Sequence, residues 1–398
     1  MEPIEFMHKM IESNLGNLSK KFLLVKHHHM EKSMLDNITE SILKESNIKV
    51  FFHEYKIHKM KEAYEPFLEW IRESYYESYA DLFSVDEFVK ECGIYSLQQE
   101  VFCSYIEKGE CKRKLEVMIE EFEYENEKMI ESVYSALKYI SKNQKTLFVI
   151  NEFHMAPYST LNLVNRIVNE EDNMYFLLTC GENYLVKEYC RELWNNFISV
   201  MERGNMILEM ENLYVNSNMN FPDEFFYKDA EVEQYVIMLN NMVHTHSFID
   251  VKYYFDNLME HILNDDSDIP DNIRFRLLVL LAMTDIGMRN YKAALYVCEN
   301  MVHIYTRTGR LYSEYLYNYF SAKAHLLMTE SELAFKFCER CKELANELSD
   351  ERLLMNVYAI ESIGRFGSLS ELFRCDFSYK IEDKVIDLLK KYKFETKK

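Results

Sequence analysis

The amino-acid sequence predicts an α/β domain with a parallel sheet, followed by an all-α domain of helical repeats. In the first half, short apolar runs alternate with helical patterns, which is typical of parallel strands joined by helices. After residue 220 the apolar runs end and long helical patterns follow. Only 9 Gly and 5 Pro occur among 398 residues, so few residues interrupt helices. We therefore expect domains at 1–221 and 222–398.

Four apolar runs in the first domain are its strand candidates. They are, in chain order, Phe22–Val25, Ile48–Phe52, Thr146–Ile150 and Met174–Leu178. The third run is continuous and bounded by polar residues, as expected of a strand buried on both faces of a sheet. Helices are predicted at 1–21, 33–45 and 159–168, and across 64–139 with turns at Gly93 and Gly109.

Two stretches of the second domain resemble each other. Ala294 and Cys298 recur as Ala334 and Cys338, 40 positions later. A small alanine at a helix crossing is typical of tetratricopeptide repeats, whose usual period is about 34 residues. We therefore predict a tetratricopeptide-like superhelix of a longer period. Its helices are expected at 223–263, 273–286, 291–299, 311–328, 331–339 and 350–392.

The composition limits the classes of binding partner and the cellular compartment that we expect. The net charge of −20 argues against a broad nucleic-acid surface or an anionic-membrane surface, because either would need clustered cations. No run approaches 18 apolar residues and the first residues lack a signal-peptide pattern, so we expect no membrane span. The 9 Cys are scattered, which favours reduced thiols in a cytoplasmic protein.

The loop after the first strand resembles a phosphate-binding loop that has lost its glycines. Val25–Ser33 reads VKHHHMEKS, and a Walker A loop reads G-x-x-x-x-G-K-[ST]. In that register Lys32 and Ser33 stand at the lysine and hydroxyl positions, while Lys26 and Glu31 replace the two glycines. Since glycine permits the close backbone approach that phosphate needs, the loop predicts a degenerate nucleotide site. A solvated loop with a chance ending is the alternative.

The end of the third strand resembles a Walker B element, in which acids hold magnesium and position water. Asn151 stands at the first acidic position and Glu152 at the second. A neutral amide oxygen should hold magnesium less well than a carboxylate does. Glu152 remains as the candidate catalytic acid for orienting water. The alternative is that Asn151 and Glu152 merely end a buried strand.

Together these segments resemble the STAND-type signal-transduction ATPases found in LuxR-type and maltose-activator-type bacterial regulators. The family follows its acids with His-Trp-Ala-Asp and a helix led by Ser or Thr, and this chain has His154-Met155-Ala156-Pro157 and then Ser159-Thr160. The run Phe176–Cys180 resembles the family's sensor strand, and Met206–Leu213 its later short strand. The resemblance implies a P-loop NTPase-like domain and a role in signal transduction or transcription regulation.

The residues at which this chain departs from the family are those that bind or hydrolyse the nucleotide in the family. Both Walker A glycines, the magnesium acid and the arginine near the sensor strand are replaced. We therefore expect a catalytically inactive regulator that works through protein–protein interaction, with no nucleotide cofactor. The alternatives are a nucleotide-gated ATPase using ATP or ADP with magnesium, and a plain helical-repeat adaptor. Val25 and Ile150 on adjacent parallel strands would favour NTPase ancestry over the adaptor.

The helical repeat is the expected partner-binding region, because solenoids form concave surfaces. Tyr312, Tyr315, Tyr319 and His325 are the candidates for lining a surface that binds a protein or peptide. The alternative is that these rings pack between helices. The sequence does not indicate an oligomeric state.

Overall fold

The chain forms two compact units. The computed structural model describes residues 21–27, 48–56, 61–112, 122–168, 170, 174–181, 186–209, 232–263 and 269–366. One unit comprises Met1–Lys112 with Asn126–Phe226, and the other Arg113–Glu125 with Tyr227–Lys398. The expected domain boundary at 221–222 and the predicted helices at 1–21 and 33–45 lie outside the described residues.

The first unit contains a five-stranded parallel sheet. Its strands are β1 Phe22–His27, β2 Lys49–Glu54, β3 Thr146–Asn151, β4 Met174–Gly181 and β5 Ile207–Glu209. They lie in the order β2-β3-β4-β1-β5, and every pair of neighbours is parallel. All four predicted strands are confirmed, and β5 lies within the short strand expected from the family resemblance.

Strand β4 lies between β1 and β3 in the sheet. Val25 pairs with Thr179 of β4, and Ile150 pairs with Leu178 of the same strand. Val25 and Ile150 therefore do not lie on adjacent strands, so the adjacency that would favour NTPase ancestry over the adaptor is not met. All residues of β4 from Met174 to Cys180 are buried, as expected of a strand in the interior of a sheet.

Four phenylalanines form a ladder across one face of the sheet. They are aligned in register from β1 to β4, β3 and β2, as Phe22, Phe176, Phe148 and Phe51. Their ring centroids lie 4.5, 5.0 and 5.5 Å apart in that order. Aromatic pairs directly opposite each other stabilise neighbouring strands beyond the area that they bury. Successive residues point to opposite faces, so the other face carries an aliphatic cluster that includes Leu23, Val149 and Leu177.

Six helices accompany the sheet among the described residues of the first unit. They are α1 Phe67–Ser74, α2 Val85–Glu91, α3 Ser96–Lys108, α4 Phe122–Ile140, α5 Tyr158–Ile167 and α6 Arg191–Arg203. The first residues of α4 belong to the second unit. Trp70 of α1 stacks on the Phe148 ring at 5.2 Å and so packs this helix on the phenylalanine ladder. Gly93 and Gly109 have φ of +71° and +69° and end helices, which confirms the two predicted turns.

The described part of the second unit is helical. Its helices are α7 Val232–His244, α8 Phe248–Leu263, α9 Asp271–Gly287, α10 Tyr291–Thr308, α11 Leu311–Leu327, α12 Ser331–Leu348 and α13 Glu351–Phe366. The pattern expected as one helix over 223–263 is interrupted at Thr245–Ser247, where His246 adopts a φ of +57°. The helices predicted at 273–286 and 311–328 are confirmed as α9 and α11.

The repeated residues occupy equivalent buried positions. Ala294 and Cys298 lie on α10, Ala334 and Cys338 lie on α12, and each is at most 1 % exposed. The spacing of 40 residues therefore marks two helical hairpins, α9–α10 and α11–α12, with the same residue types in the same packing positions. Over the described ranges, none of the helices is both long enough and apolar enough to cross a membrane.

Candidate functional site at the carboxyl edge of the sheet

The order in which successive strands are added to the sheet reverses beside β1. From β1 the chain moves to β2 at the far edge, and then returns through β3 and β4 to reach β5 on the other side of β1. In open parallel sheets, ligands bind outside the carboxyl ends of strands where the strand order reverses. The carboxyl ends of β1 and β4 meet at such a point, because His27 pairs with Gly181. This edge is therefore the candidate site.

Asn151 connects three strands at the carboxyl edge. Its amide nitrogen donates a hydrogen bond of 3.0 Å to Oε1 of Glu54 on β2. Its Oδ1 accepts a hydrogen bond of 2.5 Å from the hydroxyl of Thr179 on β4, and that hydroxyl accepts the backbone N–H of Glu152 at 3.2 Å. Asn151 is 1 % exposed, so both ends of its side chain are satisfied inside the protein.

Glu152 follows Asn151 in the chain, and its carboxylate lies near His154. It has a φ of +56°, which is uncommon for a residue with a side chain, and it leads into the short 3₁₀ turn Phe153–Met155. Its Oε2 lies 3.4 Å from Nδ1 of the buried His154. The side chain of Glu152 is 23 % exposed, so its carboxylate borders solvent while Asn151 does not. The two residues at the Walker B-like positions thus have different environments.

The pKa of the Cys180 thiol is influenced by a cation and an acid at the same edge. Burial raises the pKa of Cys180 to about 12, with the Glu152 carboxylate adding to the rise and Lys26 opposing it. Lys26 is the register partner of Cys180, which brings its charge to the end of β1. Since the thiolate is the reactive form of cysteine, Cys180 is a packed thiol rather than a nucleophile.

The helix that follows the Walker B-like strand is anchored through its first hydroxyls. Ser159 accepts the backbone N–H of Tyr64 at 3.1 Å, and Thr160 donates to the carbonyl of Glu65 at 2.7 Å. The carboxylate of Glu65 lies 3.5 Å from Nε2 of His53 on β2. The Ser-Thr pair at the start of α5 therefore holds the segment before α1, which is a structural role.

Two members of the site were missed by the sequence analysis. Glu54 ends β2 and Thr179 lies near the end of β4, and each reaches Asn151 from a neighbouring strand. A polar residue at the carboxyl end of each predicted strand was the available signal. It identified Asn151 and Glu152 only, because strand order was needed to bring Glu54 and Thr179 to them.

Magnesium does not fit the Asn151 position as the structure has it. A magnesium site in NTPases needs a carboxylate or a free oxygen directed at the phosphates. The Asn151 oxygen already accepts from Thr179, and its nitrogen faces Glu54. Within the described residues no group of three or more His, Cys, Asp or Glu could hold a metal ion. Lys32 and Ser33 lie outside the described residues.

The four predicted partner-binding residues have different environments in the second unit. Tyr315 and Tyr319 are 1 % and 2 % exposed and stack on each other with centroids 5.8 Å apart. The hydroxyl of Tyr315 donates to the carbonyl of Leu353, so these two rings pack between helices and do not line a surface. Nδ1 of His325 lies 2.6 Å from the Glu330 carboxylate.

Tyr312 is the member of the four that faces solvent, and it is 51 % exposed. It stands on the first turn of α11, one helical turn before Tyr315. The burial of Tyr315 and Tyr319 corrects the expectation of a surface lined by all four residues, whereas Tyr312 is exposed and the side chain of His325 is 16 % exposed.

Comparison with known proteins adds no family to this description. No protein-family model matches the chain, and a search of curated proteins returns no significant match.

Proposed function

We propose that the chain is a catalytically inactive, STAND-like regulatory protein that acts through protein–protein interaction. The observation that carries the proposal is the environment of Asn151. A hydrolytic site would have a magnesium-binding acid here, whereas this chain has an amide whose two ends are bound to Glu54 and Thr179. Hydrolysis depends on positioned charge around the γ-phosphate, and a buried neutral side chain supplies none.

The parallel sheet supports the NTPase-like part of the proposal. A degenerate P-loop domain would keep its phosphate loop after β1, beside the carboxyl end of a neighbouring parallel strand. The pairing of β1 with β4 and the reversal of strand order between them are consistent with that arrangement. Strand β4 separates Val25 from Ile150, so these two residues do not supply the adjacency that would favour NTPase ancestry.

The helical hairpins support the interaction part of the proposal. Equivalent buried alanines and cysteines at a spacing of 40 residues favour a repeat array of tetratricopeptide-like type. Such arrays bind protein partners through exposed side chains on successive helices. The net charge of −20 favours a protein partner over a nucleic acid.

The second candidate is a nucleotide-gated ATPase switch. The solvent-bordering carboxylate of Glu152 favours it, since a water molecule could reach that group. Lys32 and Ser33 would then hold phosphate and magnesium.

Titration calorimetry separates the two functions. ATP and ADP are titrated, with and without magnesium, into the wild-type chain, Lys32→Ala and the control Lys90→Ala on the exposed surface of α2. The proposal predicts no heat of binding in any of these titrations. Micromolar binding that is lost in Lys32→Ala and kept in Lys90→Ala would contradict an inert nucleotide site and favour the switch.

A further inference from the structure

A groove of about 370 Å³ lies among α7, α9, α10 and the start of α11 in the second unit. Its apolar wall includes Val236, Phe275 and Ile304, each less than a tenth exposed. The size is within the range of pockets that bind small molecules or a few side chains of a peptide, about 300–1,000 Å³. None of the functions described above uses it.

Two arginines bring positive charge to this groove. Arg276 of α9 and Arg310 before α11 both line it and are exposed. Neither has an ion-pair partner in the part of the chain that the structure describes. The acid among the lining residues, Asp271, is instead held by Arg307 at 2.8 Å and lies 4.0 Å from Arg274.

The charge of Arg276 and Arg310 is opposite to the net charge of the chain. A protein with a net charge of −20 repels acidic ligands over most of its surface. Two arginines that have no ion-pair partner among the described residues and lie next to an apolar wall therefore form a local exception. Arginine binds carboxylates through two parallel hydrogen bonds, which adds geometric selection to the charge attraction.

An exposed aromatic ring borders the same groove. Tyr312 lines it and stacks on the buried Tyr315, with ring centroids 6.3 Å apart and an angle of 9° between the planes. Tyr315 in turn stacks on Tyr319. The exposed ring is thus supported from below by two buried rings. Aromatic and arginine side chains of this kind contribute most of the free energy in many protein interfaces.

We propose that this groove binds a short peptide segment of a partner protein that carries an acidic side chain next to a large apolar one. The apolar side chain packs against Phe275 and Ile304, and the carboxylate pairs with Arg276 and Arg310. The proposal rests on the proposed function, because it names the partner chemistry of the helical unit. A folded nucleic acid is disfavoured, since two arginines provide no track for a phosphate backbone.

The test selects peptides from a displayed library of random short sequences on the full chain. The most enriched peptide is synthesised with a fluorescent label, and its affinity is measured by fluorescence anisotropy. The variants are Arg276→Glu, Arg310→Glu and Tyr312→Ala, all at exposed positions, so the fold should be retained and circular dichroism checks it. Lys336→Glu, exposed on α12 and outside the groove, is the matched control for charge.

The proposal predicts that enriched peptides combine Asp or Glu with a neighbouring Leu, Ile or Phe. Each arginine variant should weaken binding by about tenfold or more, and Lys336→Glu should leave it unchanged. Binding should also weaken as salt is added, because both arginines are exposed. No enriched peptide, or peptides that bind Arg276→Glu and Arg310→Glu as well as wild type, would overturn the proposal.

Other outcomes separate this inference from the proposed function. Peptides that bind elsewhere on the chain would end the groove proposal and leave a protein–protein role in place. Concentration-dependent dimers that Arg276→Glu abolishes would mean that a second copy occupies the groove, which also contradicts a partner peptide. Nucleotide hydrolysis would instead contradict the proposed function, whatever the groove binds.

Discussion

The amide nitrogen of Asn151 donates a 3.0 Å hydrogen bond to the carboxylate of Glu54, its register partner on the neighbouring parallel strand. A neutral donor and an acid are therefore matched at the carboxyl edge of the sheet. An aspartate at position 151, as the resemblance would have it, would face the acid of β2 at the same distance. The asparagine that replaces the magnesium-binding acid is thus the residue that can donate a hydrogen bond to Glu54.

Asn151→Asp should destabilise the first unit. The substitution removes the hydrogen bond to Glu54 and places two carboxylates against each other in a buried position. We expect a loss of about 2–4 kcal/mol in the free energy of unfolding at pH 7, measured by urea denaturation.

The double variant Glu54→Gln with Asn151→Asp is the matched control. It reverses the direction of the hydrogen bond, because glutamine donates and the introduced carboxylate accepts. Thr179 can still donate to position 151. We expect most of the lost stability to return in this variant at pH 7. An equal loss in the single and double variants would show that the pairing with Glu54 does not determine which residue position 151 accepts.

Thr179→Val should show what the bridging hydroxyl contributes. Valine keeps the shape of the fully buried threonine, but Asn151 loses its donor and the Glu152 N–H loses its acceptor. We expect a loss of about 2–4 kcal/mol in urea denaturation. Thr179→Ser keeps the hydroxyl and removes one methyl group, which should cost about 1 kcal/mol. A valine variant as stable as the serine variant would contradict the described network.

Much of the fold was predictable from the sequence because local patterns determine it. Continuous apolar runs such as Leu147–Ile150 indicate buried strands wherever they are placed in a sheet. Gly93 and Gly109 indicate helix ends, since only glycine adopts positive φ without strain. Ala294 and Ala334 revealed the repeated hairpins because a close helix crossing requires a small residue.

Strand order and side-chain pairing were not predictable in the same way. No local pattern indicates that β4 lies between β1 and β3, since all three strands are similarly apolar. The partnership of Asn151 with Glu54 joins residues far apart in sequence and depends on that order. Tyr312 and Tyr315 show the same limit: both are tyrosines on one helix face, and packing against other helices decides which is buried.

Cys180 should resist alkylation in the folded chain. Its pKa is raised to about 12, mainly by burial, so at pH 8 only about one thiol in ten thousand is ionised. We expect labelling by iodoacetamide at pH 8 to be at least about 100-fold slower in buffer than in urea, as measured by peptide mass spectrometry. Cys298, whose pKa is also raised to about 12 by burial, is the comparison in the second unit. Rapid labelling of Cys180 in buffer would contradict its burial.

Gly287→Ala should test the packing of the helical unit. A Cβ at this position would lie 2.3 Å from a ring carbon of Phe248, which is 1 % exposed. Alanine favours a helix more than glycine does, yet the collision should dominate and destabilise the protein by about 1–3 kcal/mol. Phe248→Leu in the same chain should recover part of this loss by making room. A single variant more stable than wild type in thermal denaturation would contradict this packing.

Phosphate release from ATP tests the central claim most directly. The full chain is incubated with ATP and magnesium, and inorganic phosphate is measured over time beside a protein-free control and Glu152→Gln. The account predicts a rate for the wild-type chain equal to that of the protein-free control, because both ends of the Asn151 side chain are hydrogen-bonded to Glu54 and Thr179. Steady phosphate release by the wild-type chain that Glu152→Gln abolishes would contradict it.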